Sequence, residues 1–531
     1  MSTGTGTGAQ RSRPPAGSPG AQPAARTEVG RRLAELADRL PFARNWDTRR
    51  AHIVLGVLWA ATLGALLTRQ GQAFPLLIVA SAAFAFLLVM EARRPLLDPR
   101  LILWSSIVLI VVAVIIPPRE SADVWSYAMY GRMVDHFHAD PYKLSPLAFS
   151  GDPWFWRVSV WWQDTRTVYG PAFTGVSALG MHLAGDSALR ARLFFQLLTG
   201  ASVVAALVLL YRRRVEPAAL VFLGLSPVMV VSVVNGAHND ALVGLAALGA
   251  MVALSRRWRV VAGVALGLAA LVKLIALLPA AAVFVWVWRR DGRAAAAKLG
   301  AVIGAVVGVG YLLIGGLPAL APLQEASRLV DRFSLWGAFG QPKPVSPAGQ
   351  GPLGGLLISP VPQQWLTGGI RYAAMLLLAG VATLVLFGGS SESRPSAGAG
   401  AVVLAFVLAT SYIQPWYLAA ILPLVALQWR SRLAFLAAGY SVLLLLGDEW
   451  LTSGGLLKAV LRFPLSTAFP VFQLLALGAL VALAVSQLRQ EPPRLPPLSI
   501  TAAGRRPARS ASGPAGTTGL PTGSPSARKP R

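Results

Sequence analysis

Apolar residues in this chain come in long blocks rather than in strand-like alternation, so the pattern predicts helices and no sheet. Blocks fall at 52–67, 73–90, 101–116, 192–211, 218–234, 241–254, 260–271, 274–288, 301–314, 372–387, 401–410, 418–427, 433–446 and 471–485. The first three approach the roughly 20 residues that cross a bilayer. Arginine-rich connections alternate with arginine-poor ones: EARRPLLDPR at 91–100, the triple arginine at 212–214, SRRWR at 255–259 and WRRDGR at 288–293. Positive charge marks the cytoplasmic side, so this alternation places the polar stretch 118–170 outside. One block strains the count. Residues 171–182 are apolar but short, and a full crossing there would move Arg212, Arg213 and Arg214 outside. Read as tilted or re-entrant, the block leaves about 13–15 spans. The expected fold is all-α, a polytopic transmembrane helical bundle with a large first external loop carrying interfacial helices.

The same pattern divides the chain into a cytoplasmic tail with a short interfacial helix (1–50), three spans (51–117), an external polar loop (118–170) and a transmembrane core (171–316). An external loop with an amphipathic helix (317–369), C-terminal spans (370–486) and a basic cytoplasmic tail (487–531) follow. The interfacial helix rests on Leu33, Leu36, Ala37 and Leu40 sharing a side at 29–42; an ordered linker fits that stretch equally. Both tails are rich in Gly, Pro, Ser and Arg, a composition that does not bury enough surface to order itself.

Composition narrows the classes. With 55% hydrophobic and 13% charged residues among 531, an ordinary soluble domain is excluded. The net charge of +26 sits in tails and short loops, not on a basic face with stacking aromatics, which argues against a nucleic-acid partner. The chain has no cysteine, so disulfides, thiolate chemistry and cysteine-built zinc sites are excluded. No signal-peptide pattern precedes residue 52, and the first span is expected to act as the targeting signal.

Candidate chemistry concentrates in 121–170, SADVWSYAMYGRMVDHFHADPYKLSPLAFSGDPWFWRVSVWWQDTRTVYG. Pro117 and Pro118 end the third block. With Ser121 as a cap, Asp123 falls in the first turn of the next helix and shares a face with Tyr127 and Tyr130. Trp154, Trp156, Trp161 and Trp162 suit a bilayer interface. Asp123 is read as a general base; the alternative is a helix-start carboxylate favoured by the helix dipole. His238 and Asp240, in NGAHND at 235–240, are read as substrate or phosphate binding or support for the base, or else as a helix start capped by Asn235 or Asn239. Asp135, His136, His138 and Asp140 suggest a metal, but alternate residues on a helix diverge, which favours a solvated loop. Leu329, Phe333 and Trp336 form an apolar stripe beside Arg328 and Arg332, an amphipathic helix that either holds a lipid phosphate or simply lies on the membrane. Lys273, between two apolar runs, is a phosphate-binding cation or a snorkelling side chain.

The motifs DVWSYAMYGR at 123–132, DPY at 140–142, VYGP at 168–171 and NGAHNDALVGL at 235–245, with LAALVKLIALL around Lys273, together resemble the GT-C superfamily of integral-membrane glycosyltransferases. More narrowly the chain is similar to the actinobacterial polyprenyl-phosphate-mannose-dependent mannosyltransferases and glycosyltransferase family 87, over roughly 101–288. The resemblance implies an inverting transferase that moves a sugar, mannose first, from a polyprenyl-phosphate donor to a lipid-anchored or glycan acceptor on the external face of the plasma membrane. A β-linked donor would give an α-linked product. Asp123 takes the role of base. Tyr127, Tyr130, Arg132, Asp140, Tyr142, Tyr169, Asn235, His238, Asn239, Asp240, Lys273, Arg328 and Arg332 become substrate-binding candidates, with Arg132, Arg328, Arg332, Lys273 and His238 for the lipid phosphate. Members of the superfamily often carry a second acid beside the first, whereas Val124 follows Asp123 here and the nearest acids are Glu120, Asp135 and Asp140. No obligatory metal or other cofactor is therefore expected. A transporter or flippase of a lipid-linked sugar, or a non-catalytic envelope scaffold, would share the hydropathy pattern.

Overall fold

The structure is a computed structural model that describes residues 46–69, 71–327, 329–331, 333–339, 363–388, 395–452, 468–482 and 485. The expected interfacial helix at 29–42, both tails, Arg328 and Arg332 lie outside the described residues. Every regular element described is helical. In chain order they are α1 (Thr48–Leu67), α2 (Phe74–Arg93), α3 (Pro99–Ile115), α4 (Asp123–Asp135), α5 (Pro171–Ala184), α6 (Ala188–Arg212) and α7 (Pro217–Gly224). A π-helical segment (Val228–Asn235) follows, then α8 (Asp240–Ser255), α9 (Arg259–Val272), α10 (Leu277–Asp291), α11 (Arg293–Leu312) and α12 (Ala321–Ala326). Last come α13 (Gln363–Gly388), α14 (Pro395–Ala409), α15 (Leu422–Ala426), α16 (Arg432–Thr452) and α17 (Ala468–Ala482).

Local chemistry sets several starts. The Asp47 carboxylate accepts the Arg50 N–H at the head of α1, and Asp98 does the same for Arg100 at the head of α3, where Pro99 is the first helical residue. Among the described residues, six helices are long and apolar enough to cross a membrane: α1, α2, α6, α11, the 369–386 part of α13, and α16. The pair α7 and the π segment, bent by 44°, makes a seventh if taken as one span, and α3, α8, α9, α14 and α17 are apolar but shorter. The chain is an all-α, multi-pass membrane protein. Its helices coincide with the apolar blocks, with four differences that packing explains.

First, block 218–234 is not one helix. Pro227 interrupts it and the chain resumes with wider π turns. Every residue from 218 to 241 is buried, so this broken rod is the centre of the bundle. Second, block 418–427 is not a span: Pro415 and Pro423 leave a 3₁₀ turn (Pro415–Ala420) and the five-residue α15, both packed inside. Third, α16 does not stop at 446 but continues through Asp448 and Glu449 to Thr452, because Arg119 meets Glu449 inside the protein. Fourth, 329–339 holds no continuous amphipathic helix; the described residues form a loop and a 3₁₀ turn, with Phe333 buried on Phe469 and Trp336 Nε1 donating to Ala409 O.

α5 resolves the parity of the chain. Its first turn starts at Gly170, whose N–H donates to Val272 O at the end of α9. α6 begins at the same end, since Arg192 donates to Val114 O and Ile115 O at the end of α3. A helix that leaves and returns on one side does not cross, and 14 residues span only about 21 Å. α5 instead lies under α4, packed so closely that a Cβ on Gly131 would fall 2.2 Å from Ser177 O.

Candidate active site

At the end of the bundle where α3 finishes and α8 begins, four chain segments deliver polar side chains to one place. Asp123 is the first residue of α4. The residue before the helix is Ala122, not the expected Ser121, yet Ser121 Oγ still accepts the Asp123 N–H at 3.1 Å. His238 comes from the turn between the π segment and α8, where Ala237 is forced into the left-handed region (φ 61°). Asp123 Oδ2 stands 3.7 Å from His238 Nδ1, and Tyr127 Oη, one turn along α4, stands 3.4 Å from the same nitrogen. The His238 ring lies flat against Trp416, centroids 3.8 Å apart and planes 6° apart.

Beside this group, Lys273 Nζ donates to both oxygens of Asp240 at 2.9 Å and sits 4.2 Å above the Tyr417 ring. Lys273 reaches there because the chain is extended between α9 and the next 3₁₀ turn, a break pinned by the Gly170–Val272 hydrogen bond. A Cβ on Gly170 would lie 2.2 Å from Leu271 O, so the glycine of VYGP is required by close approach. Burial pushes the Asp123 carboxyl up to about 6; Lys273 opposes the rise, the Asp240 charge adds to it, and the Ser121 hydrogen bond opposes it. Burial, and then the Asp123 charge, also raise Tyr127 and Tyr130, which stay protonated phenols.

A second polar layer lies directly behind. Asn235 Nδ2 donates to Ala113 O, Ile116 O and Pro117 O, and its Oδ1 accepts the Arg119 N–H. The Arg119 guanidinium bridges Glu120 and the fully buried Glu449, which also accepts the N–H groups of Gly71 and Ala73. Ser232 Oγ donates to the other Glu120 oxygen. This layer ties the α1–α2 link, the 117–121 linker, the π segment and α16 to one another. Within it, Arg119 and Glu120 lie four and three positions before Asp123, and Asn235 lies three before His238.

The sequence-derived candidates thus separate. Asp123, Tyr127, His238, Asp240 and Lys273 meet. Asn239 is beside them, 1% exposed, with neither side-chain polar atom partnered among the described residues. Asn235 faces away into the second layer. Tyr130 Oη donates to Thr165 O, and Tyr142 Oη to Tyr169 O, while the Tyr169 ring packs edge-on against Tyr127 at 5.0 Å; these rings brace α4 from the loop. Arg132 lies about 13 Å further along α4 and is held by Asp152 and Asp186. Asp140 accepts the Tyr142 N–H and pairs with Lys143 in a tight turn. His136 and His138 are exposed. The sequence reading assigns no role to Trp416 or Tyr417 and misses the Arg119–Glu449 pair. A Trp-Tyr step after Gln-Pro inside an apolar run was the available signal.

A multi-pass helical bundle with a carboxylate, an imidazole and a lysine–carboxylate pair gathered at one end defines a class: an integral-membrane protein with a polar site at its helix ends. Within that class, residues 43–290 match the family described as "Alpha-(1->6)-mannopyranosyltransferase, N-terminal domain", and residues 348–448 match the "MptB C-terminal domain". Together these take in roughly two-thirds of the chain, and the chain belongs to this actinobacterial GT-C mannosyltransferase family. Among curated relatives, α-(1→6)-mannopyranosyltransferase A of Corynebacterium glutamicum is 33% identical over 168 residues, 30% of this chain and 33% of that protein. Its counterpart in Mycobacterium tuberculosis is 30% identical over 261 residues, 44% of this chain and 47% of that protein. The matched stretch spans a third to a half of the length of these relatives. All five residues that meet around Asp123 fall inside the first family match, and Trp416 and Tyr417 inside the second.

Proposed function

We propose that the protein is an inverting glycosyltransferase that moves mannose from a polyprenyl-phosphate donor to a cell-envelope glycolipid or glycan acceptor, with Asp123 as general base. The observation that carries this reading is the Asp123 carboxylate, partly buried, raised toward neutrality and aimed at His238 on the polar end of the bundle. A base near the working pH holds the right charge and still takes a proton readily. In the proposed step the acceptor hydroxyl gives its proton to Asp123 as its oxygen bonds to the anomeric carbon. The bond from that carbon to the donor phosphate breaks, and polyprenyl phosphate leaves with the electron pair. One carboxylate suffices, unlike the paired acids of glycoside hydrolysis. Lys273 has two of its donors on Asp240, so it offers the phosphate one remaining N–H rather than a free charge.

The proposal places this end outside the cell. In support, the opposite helix ends carry the arginines: Arg430 pairs with Glu216 and reaches Ala92 O, Arg94 reaches Trp46 O, and Arg259 pairs with Asp291. The test is transfer from labelled polyprenyl-phosphate mannose to a mannoside acceptor in membranes carrying wild type or Asp123→Asn. Loss of about 10²–10⁴-fold in the variant, with donor binding kept, is expected of a removed general base. Equal transfer by both would remove Asp123 from the role. No transfer from any polyprenyl-linked sugar would favour a carrier of lipid-linked sugars.

A further inference from the structure

We propose that Trp416 is a positioning residue: by stacking on His238 it fixes the ring so that the Nδ1–H points at the Asp123 carboxylate. This rests on the reading of Asp123 as the base. Three contacts leave the ring one orientation. Its face is covered by the Trp416 indole at 3.8 Å, its Nδ1 edge meets Tyr127 and Asp123, and its opposite edge lies on the bare Cα of Gly236. A Cβ at position 236 would stand 2.7 Å from both Nε2 and Cδ2 of His238, and 2.4 Å from Ser232 O. Glycine in NGAHND is therefore the space into which the imidazole edge fits.

The proton follows from the same geometry. His238 is 0% exposed and its Nε2 has no hydrogen-bond partner among the described residues. A buried N–H with no acceptor is rarer than a buried acceptor left bare, so the ring proton belongs on Nδ1. A doubly protonated ring would bury the same orphan N–H, so the ring is neutral. The Nδ1–H then lies between Tyr127 Oη and Asp123 Oδ2, and catalytic hydrogen bonds that are long at rest tighten in the reacting complex. Holding Oδ2 leaves the second carboxyl oxygen for the acceptor's proton. Trp416 belongs to a turn 178 residues further along the chain than His238, inside the second family match, which gives that segment a part in the site. The indole supplies the flat apolar wall that keeps the imidazole from turning about its Cβ–Cγ bond.

The test has a spectroscopic arm and a kinetic arm. Ring-¹⁵N-histidine labelling of the full chain gives five histidines, of which His52, His136, His138 and His182 are exposed and His238 is buried. One histidine is expected with Nδ1 protonated, Nε2 bare and ring protons shifted upfield by the indole. In the kinetic arm Trp416→Leu is expected to lower kcat about 10²-fold, the scale of a roughly 1 Å misplacement, with the donor KM held. Trp416→Phe, which keeps a flat ring, restores most of the rate and most of the upfield shift. An Nε2–H tautomer in the wild type overturns the proposal, as does a Trp416→Leu defect confined to KM, or a Phe variant no better than Leu. Should Trp416→Leu fail to fold, the wild-type tautomer and the Phe variant still decide it. A wild type that transfers no sugar defeats the transferase reading, while the tautomer still reports on the stack.

Discussion

Asp123 begins a helix, where a carboxylate is ordinarily comfortable and acidic, yet here burial outweighs the helix dipole and lifts it to about 6. The consequence for activity has a definite sign. A base must be unprotonated to accept, so transfer should be flat above about pH 6 and fall roughly tenfold per unit below it. The profile of kcat/KM in membranes checks this; an acid limb near pH 4, the ordinary aspartate range, would show that Asp123 is solvated in the working protein. Ala237 shows a second residue-scale effect. A non-glycine residue in the left-handed region costs about 1–2 kcal/mol, and Ala237 bears it because this conformation turns the chain so that His238 points back at α4.

Helices reach the site through a few glycines. Gly131 lets α4 cross α5 with backbone against backbone, and because Ser177 O cannot move like a side-chain tip, a methyl group there must separate the helices. Gly131→Ala is expected to destabilise by about 1–3 kcal/mol and to lower transfer by displacing the whole of α4. Gly175→Ala, on the partner helix α5, meets nothing within 4 Å and should be neutral or slightly stabilising, as alanine improves a helix interior by about 1 kcal/mol. Thermal midpoints and transfer rates of the two variants compared side by side test the packing of α4 on α5; equal behaviour would contradict it.

Over the whole molecule, the Arg119–Glu449 pair joins segments 330 residues apart in sequence. Their side chains are 5% and 0% exposed, and Arg119 is shared with Glu120. Removing the Glu449 charge takes away the acceptor of Arg119 and of the Gly71 and Ala73 N–H groups, at about 1.5–3 kcal/mol for a hydrogen bond to a charged group, while Glu120 stays on Arg119. Glu449→Gln should therefore lower the denaturation midpoint strongly, while Glu216→Gln, whose pair with Arg430 is half exposed, should change it by less than about 1 kcal/mol. A Glu449→Gln protein as stable as wild type would show that the second layer does not hold the bundle end together.

Apolar block length, arginine alternation and proline positions were enough to determine an all-α membrane bundle and the placement of most helices, and the polar motifs between the blocks put Asp123, Tyr127, His238, Asp240 and Lys273 among the candidates. Those features act locally: hydropathy and proline chemistry need no partner to have their effect. The same local rules misread 418–427 as a span and ended α16 too soon, because a buried proline turn and a buried acid paired across 330 residues look, in one dimension, like a helix and a turn. Whether α5 crosses was decided by two long-range contacts, Gly170 to Val272 and Arg192 to Ile115. Only the tertiary structure separated Asn235, turned inward as a clamp, from His238, turned to the site, though only two residues lie between them. It alone brought Trp416 onto that imidazole. Side-chain direction in a buried turn is set by what packs against it from elsewhere in the chain, and no spacing rule carries that information.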